Sequence, residues 1–334
     1  MRNFTFKGLF LAGLFMVLGC LSIQAADDDG LITKQITIKL EKAGTLPDKI
    51  GSTKKFQITN LKIIGEINGT DLRMIHEMAG NEGTDRWNGS TNGMLSVLDL
   101  SDAKIVKGGD YYFHTGIGNY FCYTSNDKIG DYAFFGCSRL TSLTLPSGVT
   151  EIGECAFYGC SGLTSLTLPS GVTKIGEDAF QYCSGLTSIT LPSGVTEIGE
   201  DAFWGCSGLT SITLPSGVTE IGEGAFRNCS GLTSIYVYVE KMPKLGTNMF
   251  DGCDAKKCTV YVPKGTYDDY WLSEFGYFEN IVEFDPTGIN NVITSNDAKE
   301  LSRYSLNGQR LSAPTKGLNI VKYSDGSVKK VAVQ

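Results

Sequence analysis

The chain has 334 residues, 41% of them hydrophobic and 19% charged, so it has enough apolar side chains for a large core and lacks the composition of a disordered protein. Its formal net charge of −7 disfavours binding to nucleic acid and to anionic membranes. With 41 glycines and only 2 histidines, the chain is suited to many tight turns and has little imidazole for metal binding or acid–base catalysis.

The N-terminus has the pattern of an export signal. Two basic residues precede an apolar run over residues 8–21, and small residues follow at 25 and 26. The run is shorter than the roughly 20 residues of a transmembrane helix. We therefore predict that residues 1–25 are a signal peptide and that the mature chain, without a transmembrane segment, is secreted or held at the cell surface on the outer membrane. Residues 17–20 (Val-Leu-Gly-Cys) also resemble a lipobox, so lipidation of Cys20 is an alternative.

The next part of the chain has weaker patterns. Residues 26–55 are expected to form an N-terminal strand and cap. Residues 58–63 and 95–100 each follow the order apolar-x-x-apolar-x-apolar, which indicates divergent early repeats. Between them, residues 70–79 favour a helix with Thr70 as its N-cap and a glycine after its end.

The centre of the chain is a tandem repeat. Residues 128–219 hold four near-copies of a 23-residue unit, such as EIGECAFYGCSGLTSLTLPSGVT at 151–173, and more divergent copies extend the regular array to 243. Leucine and phenylalanine recur in the copies at Leu140, Leu163, Leu186, Leu209 and Leu232, and at Phe134, Phe157, Phe180, Phe203 and Phe226.

Each unit contains one short segment in which apolar and hydroxyl residues alternate, as in a strand with one buried face, and a Pro-x-Gly turn follows it. One unit buries too few apolar side chains to offset the conformational entropy of ordering its 23 residues. The copies therefore have to stack, with parallel strands about 4.8 Å apart. This predicts a solenoid with a continuous apolar interior and a cap at each end.

The chain beyond the regular repeats divides into a cap and a module. Alternating apolar residues at 235–237 and 260–262 continue the sheet, and the aromatic-rich segment 267–284 is expected to close the solenoid. The sequence Asp-Pro-Thr-Gly at 285–288 marks a boundary. Residues 286–334 are predicted to form a small β module, because Asn-Gly and Asp-Gly turn sequences separate short strands there.

The repeat has the form L-x-x-[LI]-x-L-P-x-x-V-x-x-I-G-x-x-A-F-x-x-C, and in this form it resembles the BspA-type leucine-rich repeat of surface and secreted proteins of Bacteroidetes and some other microbes. Residues 56–131 are similar to the N-terminal parts of such proteins. The resemblance implies a leucine-rich-repeat coil over residues 56–285, with a parallel β-sheet, mostly strands and turns and little helix. It implies binding of host proteins, other cells or glycans and supplies no catalytic motif, and fold analogy does not name the ligand.

The C-terminal module carries a second resemblance. Its segments 304–311, 316–321 and 328–331 are similar to short C-terminal domains that resemble type IX secretion sorting signals. The other interpretation is a module with a purely structural role.

The chain has 10 cysteines. Five occupy one repeat position, namely Cys137, Cys160, Cys183, Cys206 and Cys229. Their parallel side chains oppose the torsion of a disulfide, which favours buried free thiols. Cys122, Cys155 and Cys258 lie outside this position and are candidates for disulfides or exposure, and Cys253 with Cys258 is a further close pair. The spacing lacks the C-x-x-C pattern of a structural zinc site.

Two repeated surface positions are candidate binding sites. The outward face of the strands carries a series of hydroxyl residues: Thr144, Thr167, Thr190, Thr213 and Tyr236. The residue after each Ala-Phe pair changes freely between copies: Phe135, Tyr158, Gln181, Trp204 and Arg227. Aromatic residues and arginine are enriched at binding hot spots. The alternatives are a solvated strand face and a half-exposed turn at which any large side chain covers the core.

Acidic residues recur at a third position: Glu154, Glu177, Glu200 and Glu223, with Asp178 and Asp201 beside two of them. Like charges one strand apart repel each other, so we expect these side chains to be solvated and to keep solenoids from self-association. Calcium binding is the alternative.

Catalysis would need Cys122 or Cys155 close to His76 or His114, and no local sequence signature supports that arrangement. We predict no enzymatic activity, no metal and no cofactor. The sequence favours an exported, adhesin-like binding protein whose partner is a host or matrix protein, another cell surface or a glycan, and not nucleic acid. The alternative is a structural spacer that displays the C-terminal module on the cell surface.

Overall fold

Apolar residues at fixed intervals bring successive segments of the chain into parallel pairing. The computed structural model describes residues 30–83, 89–116, 120–285, 300–305, 310–311, 313, 316–323 and 328–333. The predicted signal peptide and Cys20 lie outside the described residues, as do the Asn-Gly and Asp-Gly turn sequences of the C-terminal module.

The N-terminal part combines a parallel sheet, a helix and a hairpin. Its elements are β1 (Ile36–Leu40), α1 (Leu46–Ile50), a 3₁₀ turn (Lys54–Phe56), β2 (Asn60–Ile67), α2 (Gly69–Met78), β3 (Val97–Ile105), β4 (Gly108–His114) and β5 (Phe121–Thr124). Strands β1, β2 and β3 pair in parallel, and β4 and β5 form an antiparallel hairpin. The early repeats expected at 58–63 and 95–100 contribute β2 and β3, and their apolar side chains are buried.

Helix α2 has Asn68 as its N-cap, so the predicted cap at Thr70 is wrong by two residues. The Asn68 Oδ1 atom accepts a hydrogen bond from the Thr70 N–H at 3.1 Å, and the Asp71 carboxylate accepts one from the Asn68 N–H at 2.9 Å. Asp71 also accepts from the Leu46 N–H at 2.9 Å, which ties α2 to α1. An Asn-Gly pair is typical of turns, and this hides the capping box in the sequence.

Each repeat contributes two strands, whereas the sequence predicts one. The two-residue strands form what we call the Lys/Glu sheet: β6 (Lys128–Ile129), β8 (Glu151–Ile152), β10 (Lys174–Ile175), β12 (Glu197–Ile198), β14 (Glu220–Ile221) and β16 (Lys244–Leu245). The longer strands begin with β7 (Ser142–Thr144), which pairs with β3, and continue as what we call the Ser/Thr sheet: β9 (Ser165–Thr167), β11 (Ser188–Thr190), β13 (Ser211–Leu214), β15 (Ser234–Val237), β17 (Thr259–Pro263) and β18 (Asn280–Phe284). A two-residue strand is too short to produce a hydropathy period, which is why the sequence prediction missed it.

All strands of both sheets pair in parallel and in register, so equivalent residues stack. The repeated phenylalanines are buried in one stack with ring centroids 5.0 to 5.8 Å apart: Phe134, Phe157, Phe180, Phe203, Phe226 and Phe250. This continuous apolar interior is the solenoid that the repeat period predicts, and each coil depends on its neighbours for burial.

The aromatic-rich segment covers the last coil. It contains α3 (Tyr267–Trp271) and a 3₁₀ turn (Glu274–Tyr277) before β18. The buried rings of Phe275 and Phe278 lie 5.2 and 4.8 Å from the Phe250 ring, and the buried Tyr270 hydroxyl donates to the Val239 carbonyl at 2.7 Å. The end of the phenylalanine stack is therefore shielded from water.

The C-terminal module is a separate antiparallel sheet. It contains β19 (Glu300–Ser305), β20 (Arg310–Leu311), β21 (Gly317–Tyr323) and β22 (Val328–Val333), in the order β20-β19-β21-β22. Inside it the buried Arg303 Nη1 donates to Asn319 Oδ1 at 3.3 Å. This is the small β module that the sequence predicts.

Candidate binding surface

The turn between the two strands of each repeat carries the variable residue after Ala-Phe. The backbone is left-handed at two points of this turn. In the six successive copies, the first left-handed residue is Tyr132, Cys155, Asp178, Asp201, Gly224 and Asn248, in that order. The second is Gly136, Gly159, Tyr182, Gly205, Asn228 and Gly252. Between these points the phenylalanine is buried, and the variable residue reaches the surface in every regular copy except one.

Large side chains from successive turns form one continuous line, which we call the aromatic row: Tyr132, Phe135, Tyr158, Tyr182, Trp204 and Arg227. The ring centroids of Phe135 and Tyr158 are 4.9 Å apart, those of Tyr158 and Tyr182 are 5.6 Å apart, and those of Tyr182 and Trp204 are 5.4 Å apart. The Arg227 guanidinium lies 5.6 Å from the centroid of the Trp204 ring and ends the row. Four of the five residues predicted at the variable position therefore lie side by side.

Gln181 is the exception. It is buried, and its Nε2 donates to a carboxylate oxygen of Asp178, so its side chain is not at the surface. Tyr182, the next residue, takes its place in the row and is 41% exposed. Sequence reasoning missed Tyr182 because it compared only the position after Ala-Phe. The signal that could have found it is a tyrosine where four of the six copies have glycine.

Tyr182 is held in a strained backbone conformation. Its φ of 57° lies in the left-handed region, which costs a residue with a Cβ atom roughly 1–2 kcal/mol. Its ring lies against Gly205 of the next coil, where an added Cβ would come within 2.7 Å of Tyr182 Cδ1. Strain of this kind concentrates at functional sites, so its place in a partly exposed aromatic row is informative.

The predicted hydroxyl residues lie on the strands, away from the turns that carry the aromatic row. Thr144, Thr167, Thr190 and Thr213 are all exposed. Tyr236 is half-buried, pairs in register with Thr213, and stacks on Tyr261 with 4.7 Å between ring centroids.

The acidic stripe consists of the repeated carboxylates Glu154, Glu177, Glu200 and Glu223 with Asp178 and Asp201. Burial, followed by repulsion from Glu154 and Glu200, raises the pKa of Glu177. Burial, followed by the charges of Asp201 and Glu177, raises the pKa of Asp178 to about 6. The carboxylates are therefore close enough to oppose each other's ionisation.

The acidic stripe runs beside the aromatic row. The Tyr132 hydroxyl donates to Glu154 Oε1 at 3.1 Å. Burial raises the pKa of Tyr158 to about 12, and the neighbouring Tyr182 and Asp178 contribute to this rise. Burial also raises the pKa of Asp201, and the Arg227 charge opposes that rise.

The nine described cysteines are free and buried. In what we call the cysteine series, each thiol donates to the carbonyl of a phenylalanine in the preceding coil at 3.0 to 3.1 Å: Cys160 to Phe134, Cys183 to Phe157, Cys206 to Phe180 and Cys229 to Phe203. Cys253 extends the series with a 3.3 Å contact to the Phe226 carbonyl, so grouping it with Cys258 outside the series was wrong.

Cys122, Cys155 and Cys258 are also buried, and the expectation that they are exposed or bonded is wrong. Burial raises the pKa of each of these thiols to about 12, so they stay protonated and poorly nucleophilic at neutral pH.

The histidines do not complete a catalytic pair with Cys122. Burial lowers the pKa of His76 to about 4, and its Nε2 lies 2.5 Å from the Ala133 carbonyl oxygen. In the β4–β5 hairpin, Phe113 pairs with Cys122 and His114 with Phe121, which places His114 and Cys122 on opposite faces.

Two further properties concern the part of the chain that the structure describes. No group of three or more His, Cys, Asp or Glu side chains there is arranged to hold a metal ion. No helix there combines the length and hydrophobicity that crossing a membrane requires.

Comparison with known proteins gives matches to leucine-rich repeat proteins. A leucine-rich repeat protein of T. pallidum is 31% identical, with 41% of this chain and 68% of that chain covered and a TM-score of 0.33. A leucine-rich repeat protein of Bacteroides ovatus is 23% identical, with 75% of this chain and 66% of that chain covered and a TM-score of 0.37. A leucine-rich cell surface protein of Faecalibacterium prausnitzii is 26% identical, with 64% of this chain and 51% of that chain covered and a TM-score of 0.33. No significant match is found among curated proteins.

The family comparison addresses the repeats directly. Residues 125–259 match the model of the BspA type leucine rich repeat region in six copies. The matched region coincides with the coils that carry the aromatic row and the cysteine series. The chain is therefore a member of the BspA-type leucine-rich repeat family through residues 125–259.

Proposed function

We propose that this chain is an exported, non-enzymatic binding protein that presents its repeat surface, in the manner of an adhesin, to host or matrix proteins, other cells or glycans. The aromatic row is the observation that carries the proposal. It places residue types enriched at binding hot spots on successive turns, and at Tyr182 it does so at a cost in backbone strain. Membership of a family of typically non-enzymatic repeat proteins supports the same function.

The repeat architecture suits weak contacts that add up. Neighbouring turns present side chains of similar size about 5 Å apart, so an extended partner meets several of them at once. Linked contacts of this kind give a higher overall affinity than any single one.

We further propose that residues 1–25 direct export and that the mature chain is secreted or held at the cell surface on the outer membrane, with a lipid on Cys20 as the alternative anchor. The C-terminal sheet, residues 286–334 in our division of the chain, serves as a sorting or structural module. The four-stranded sheet in this region shares no strand with the described solenoid sheets, which favours a second candidate function, a spacer that holds this module away from the cell.

The test uses the mature chain, residues 26–334, on immobilised matrix proteins and on a glycan array. We expect saturable binding to at least one of these surfaces, and we expect Trp204→Ala combined with Arg227→Ala to weaken it at least tenfold. Thr167→Ala combined with Thr190→Ala is the matched control on the Ser/Thr sheet and should leave binding unchanged.

Two outcomes would contradict the proposal. Full binding by a folded Trp204→Ala/Arg227→Ala variant would exclude the aromatic row as the site. The absence of saturable binding to any surface, together with cell-surface display that depends on residues 286–334, would favour the spacer.

A further inference from the structure

Backbone hydrogen bonds join the turn of each regular coil to the turn of the next coil. The N–H of the first left-handed residue and the N–H of the phenylalanine each donate to a carbonyl of the following coil. At the first turn, Tyr132 donates to the Glu154 carbonyl at 2.8 Å and Phe134 to the Ala156 carbonyl at 2.7 Å. Both bonds recur at the next four turns. Each turn therefore needs two donors from the coil before it.

At the start of the array, two side chains take the place of these donors. The Tyr112 hydroxyl on β4 donates to the Asp131 carbonyl at 2.7 Å, and the His76 Nε2 on α2 lies 2.5 Å from the Ala133 carbonyl oxygen. Both carbonyls lie one repeat, or 23 residues, before the first two acceptors of the regular array. Helix α2 and the β4–β5 hairpin, which we call the α2–hairpin cap, thus complete the hydrogen bonds of the first coil.

The contact with Ala133 determines which nitrogen of His76 carries the proton. A carbonyl oxygen only accepts, so Nε2 carries the proton and Nδ1 is the unprotonated nitrogen of a neutral ring. His76 is fully buried against Tyr112 and Phe113, with ring centroids 6.1 and 6.0 Å away. Its Nδ1 has no hydrogen-bond partner within the described chain. A second proton would therefore create a buried charge and a donor without an acceptor, and both oppose the closed arrangement.

The charges around His76 do not offset this cost. Titratable groups on the segments around it are Lys55, Glu77, Glu82, Tyr112, Cys122 and Asp131. Glu77 favours the protonated ring, but it binds Lys55, and burial has the larger effect on His76. Burial lowers the pKa of His76 from the usual 6.5 to about 4. Burial also raises the pKa values of Tyr112 and Cys122, so both stay neutral in acid.

We propose that the α2–hairpin cap is acid-sensitive: protonation of His76 releases it from the first coil while the later coils stay folded. Release breaks the contacts with the Asp131 and Ala133 carbonyls. It also separates Phe113 from Tyr132, whose rings stack with 4.8 Å between centroids. The N-terminal end of the solenoid then opens to water. This inference concerns the fold and is independent of the proposed binding function.

The direction of the pH dependence follows from the two states of the cap. The closed cap binds the His76 proton less readily than the open cap, in which the ring is solvated. The closed cap therefore has its full stability above about pH 6.5 and loses it as the pH falls toward 4. Between pH 7.5 and pH 4.5, the opening equilibrium should rise by roughly 50- to 100-fold.

Hydrogen exchange of the mature chain at pH 7.5 and pH 4.5 tests the proposal, with each rate divided by that of an unstructured peptide at the same pH. Amides of α2 and β4 should exchange at least tenfold faster at pH 4.5, while those of β11 to β15 change little. His76→Gln keeps an N–H donor without a titrating group and should abolish the acid effect. His114→Gln, which replaces the other histidine of the chain, is the matched control and should retain it.

Two further measurements keep the proposal testable if His76→Gln does not hold the cap closed at pH 7.5. An NMR titration of the His114→Gln variant follows His76 alone and should show a neutral Nε2–H ring at pH 7 and a midpoint below pH 5. Tyr112→Phe removes the other donor without removing the titrating group. It should speed exchange of α2 and β4 at both pH values and leave their ratio unchanged.

Two results would overturn the proposal. One is acid-induced exchange of α2 and β4 that persists in a folded His76→Gln variant. The other is a His76 midpoint near pH 6.5 in a protein whose α2 and β4 amides remain protected at pH 4.5.

Discussion

Tyr182 places an exposed ring on the surface of the molecule although its backbone is held in a strained, left-handed conformation. Four equivalent turns use glycine at this point, and one uses asparagine, the residue with a side chain that best tolerates a left-handed conformation. The tyrosine gains ring contacts with Tyr158 and Trp204, which recover part of the strain.

The strain at Tyr182 predicts that the usual order of stability of alanine and glycine variants is reversed at this position. Tyr182→Ala and Tyr182→Gly both remove the ring, but only alanine keeps a Cβ atom at φ 57°, so the glycine variant should be more stable by about 1 kcal/mol. At Tyr158, whose φ is not positive, alanine should be the more stable of the two by about 0.5–1 kcal/mol. Urea unfolding of the four variants measures both differences. The same order at both positions would show that Tyr182 is not strained.

The raised pKa of Asp178 predicts that its contribution to the stability of the protein depends on pH. Because its folded-state pKa of about 6 lies above the ordinary 3.8, the folded protein binds this proton more tightly than the unfolded chain, and stability falls as pH rises through that interval. Asp178→Asn removes the charge, and asparagine tolerates the left-handed backbone. The variant should gain roughly 1–2 kcal/mol at pH 7, after allowance for solvent screening, and nothing at pH 3.5. Thermal unfolding at both pH values measures this. An equal gain at both would mean that charge is not the cause.

At the scale of elements, the cysteine series links each coil to the one before it. Each thiol spans neighbouring coils and reaches a phenylalanine carbonyl 26 residues earlier in the chain. The contact is weak, but it satisfies a polar group within the apolar stack.

Burial of the series predicts resistance to alkylation. Burial raises the pKa of Cys183 to about 12 and that of Cys160 well above its usual value, so almost no thiolate is present and iodoacetamide cannot reach it. Mass spectrometry of the native protein should find the series unmodified after hours at pH 8, and full labelling should follow unfolding in urea. Rapid labelling of Cys183 in the native state would contradict the packing described here.

The elements differ in how well the sequence predicts them. The segments with alternating apolar and hydroxyl residues contain enough residues to show their period, and they are strands. The strands of the Lys/Glu sheet have two residues each and therefore show no hydropathy period. Cys253 follows Cys229 after 24 residues instead of 23, and this one-residue insertion hid its place in the series.

The candidate site was predictable only in part. Variation after Ala-Phe identifies Phe135, Tyr158, Trp204 and Arg227, because the flanking residues fix the register. It could not show that Gln181 turns inward to Asp178, since that depends on the side-chain packing of one particular coil. Nor does it show that the aromatic row adjoins the acidic stripe, because that is seen only in side-chain contacts such as the one from Tyr132 to Glu154.

At the scale of the whole molecule, the regular register predicts that repeats can be removed as units. Deletion of residues 197–219 brings Lys174 next to Glu220 and Phe180 next to Phe226, in the pairing that each now makes with the removed coil. This variant should unfold cooperatively at a somewhat lower temperature, because one interface is lost. Calorimetry measures the transition.

A shorter deletion provides the control. Removal of residues 197–208 takes out half a coil and leaves Phe180 without an in-register neighbour on its C-terminal side, so the variant should lose the single cooperative transition. A folded half-coil variant, or an unfolded full-coil variant, would contradict the stacking of equivalent residues.

Because the cysteine contacts join neighbouring coils, they bear on how the thiols escape oxidation while the protein folds. On the proposed export route, the nine described thiols have to be buried before they pair wrongly in an oxidising compartment. Each contact in the series closes a loop of only 26 residues, and loops of this size form in microseconds or less, whereas disulfides take seconds to hours. We therefore expect each coil to bury its thiol before it is oxidised, so that the folded solenoid keeps these thiols reduced without a reductant.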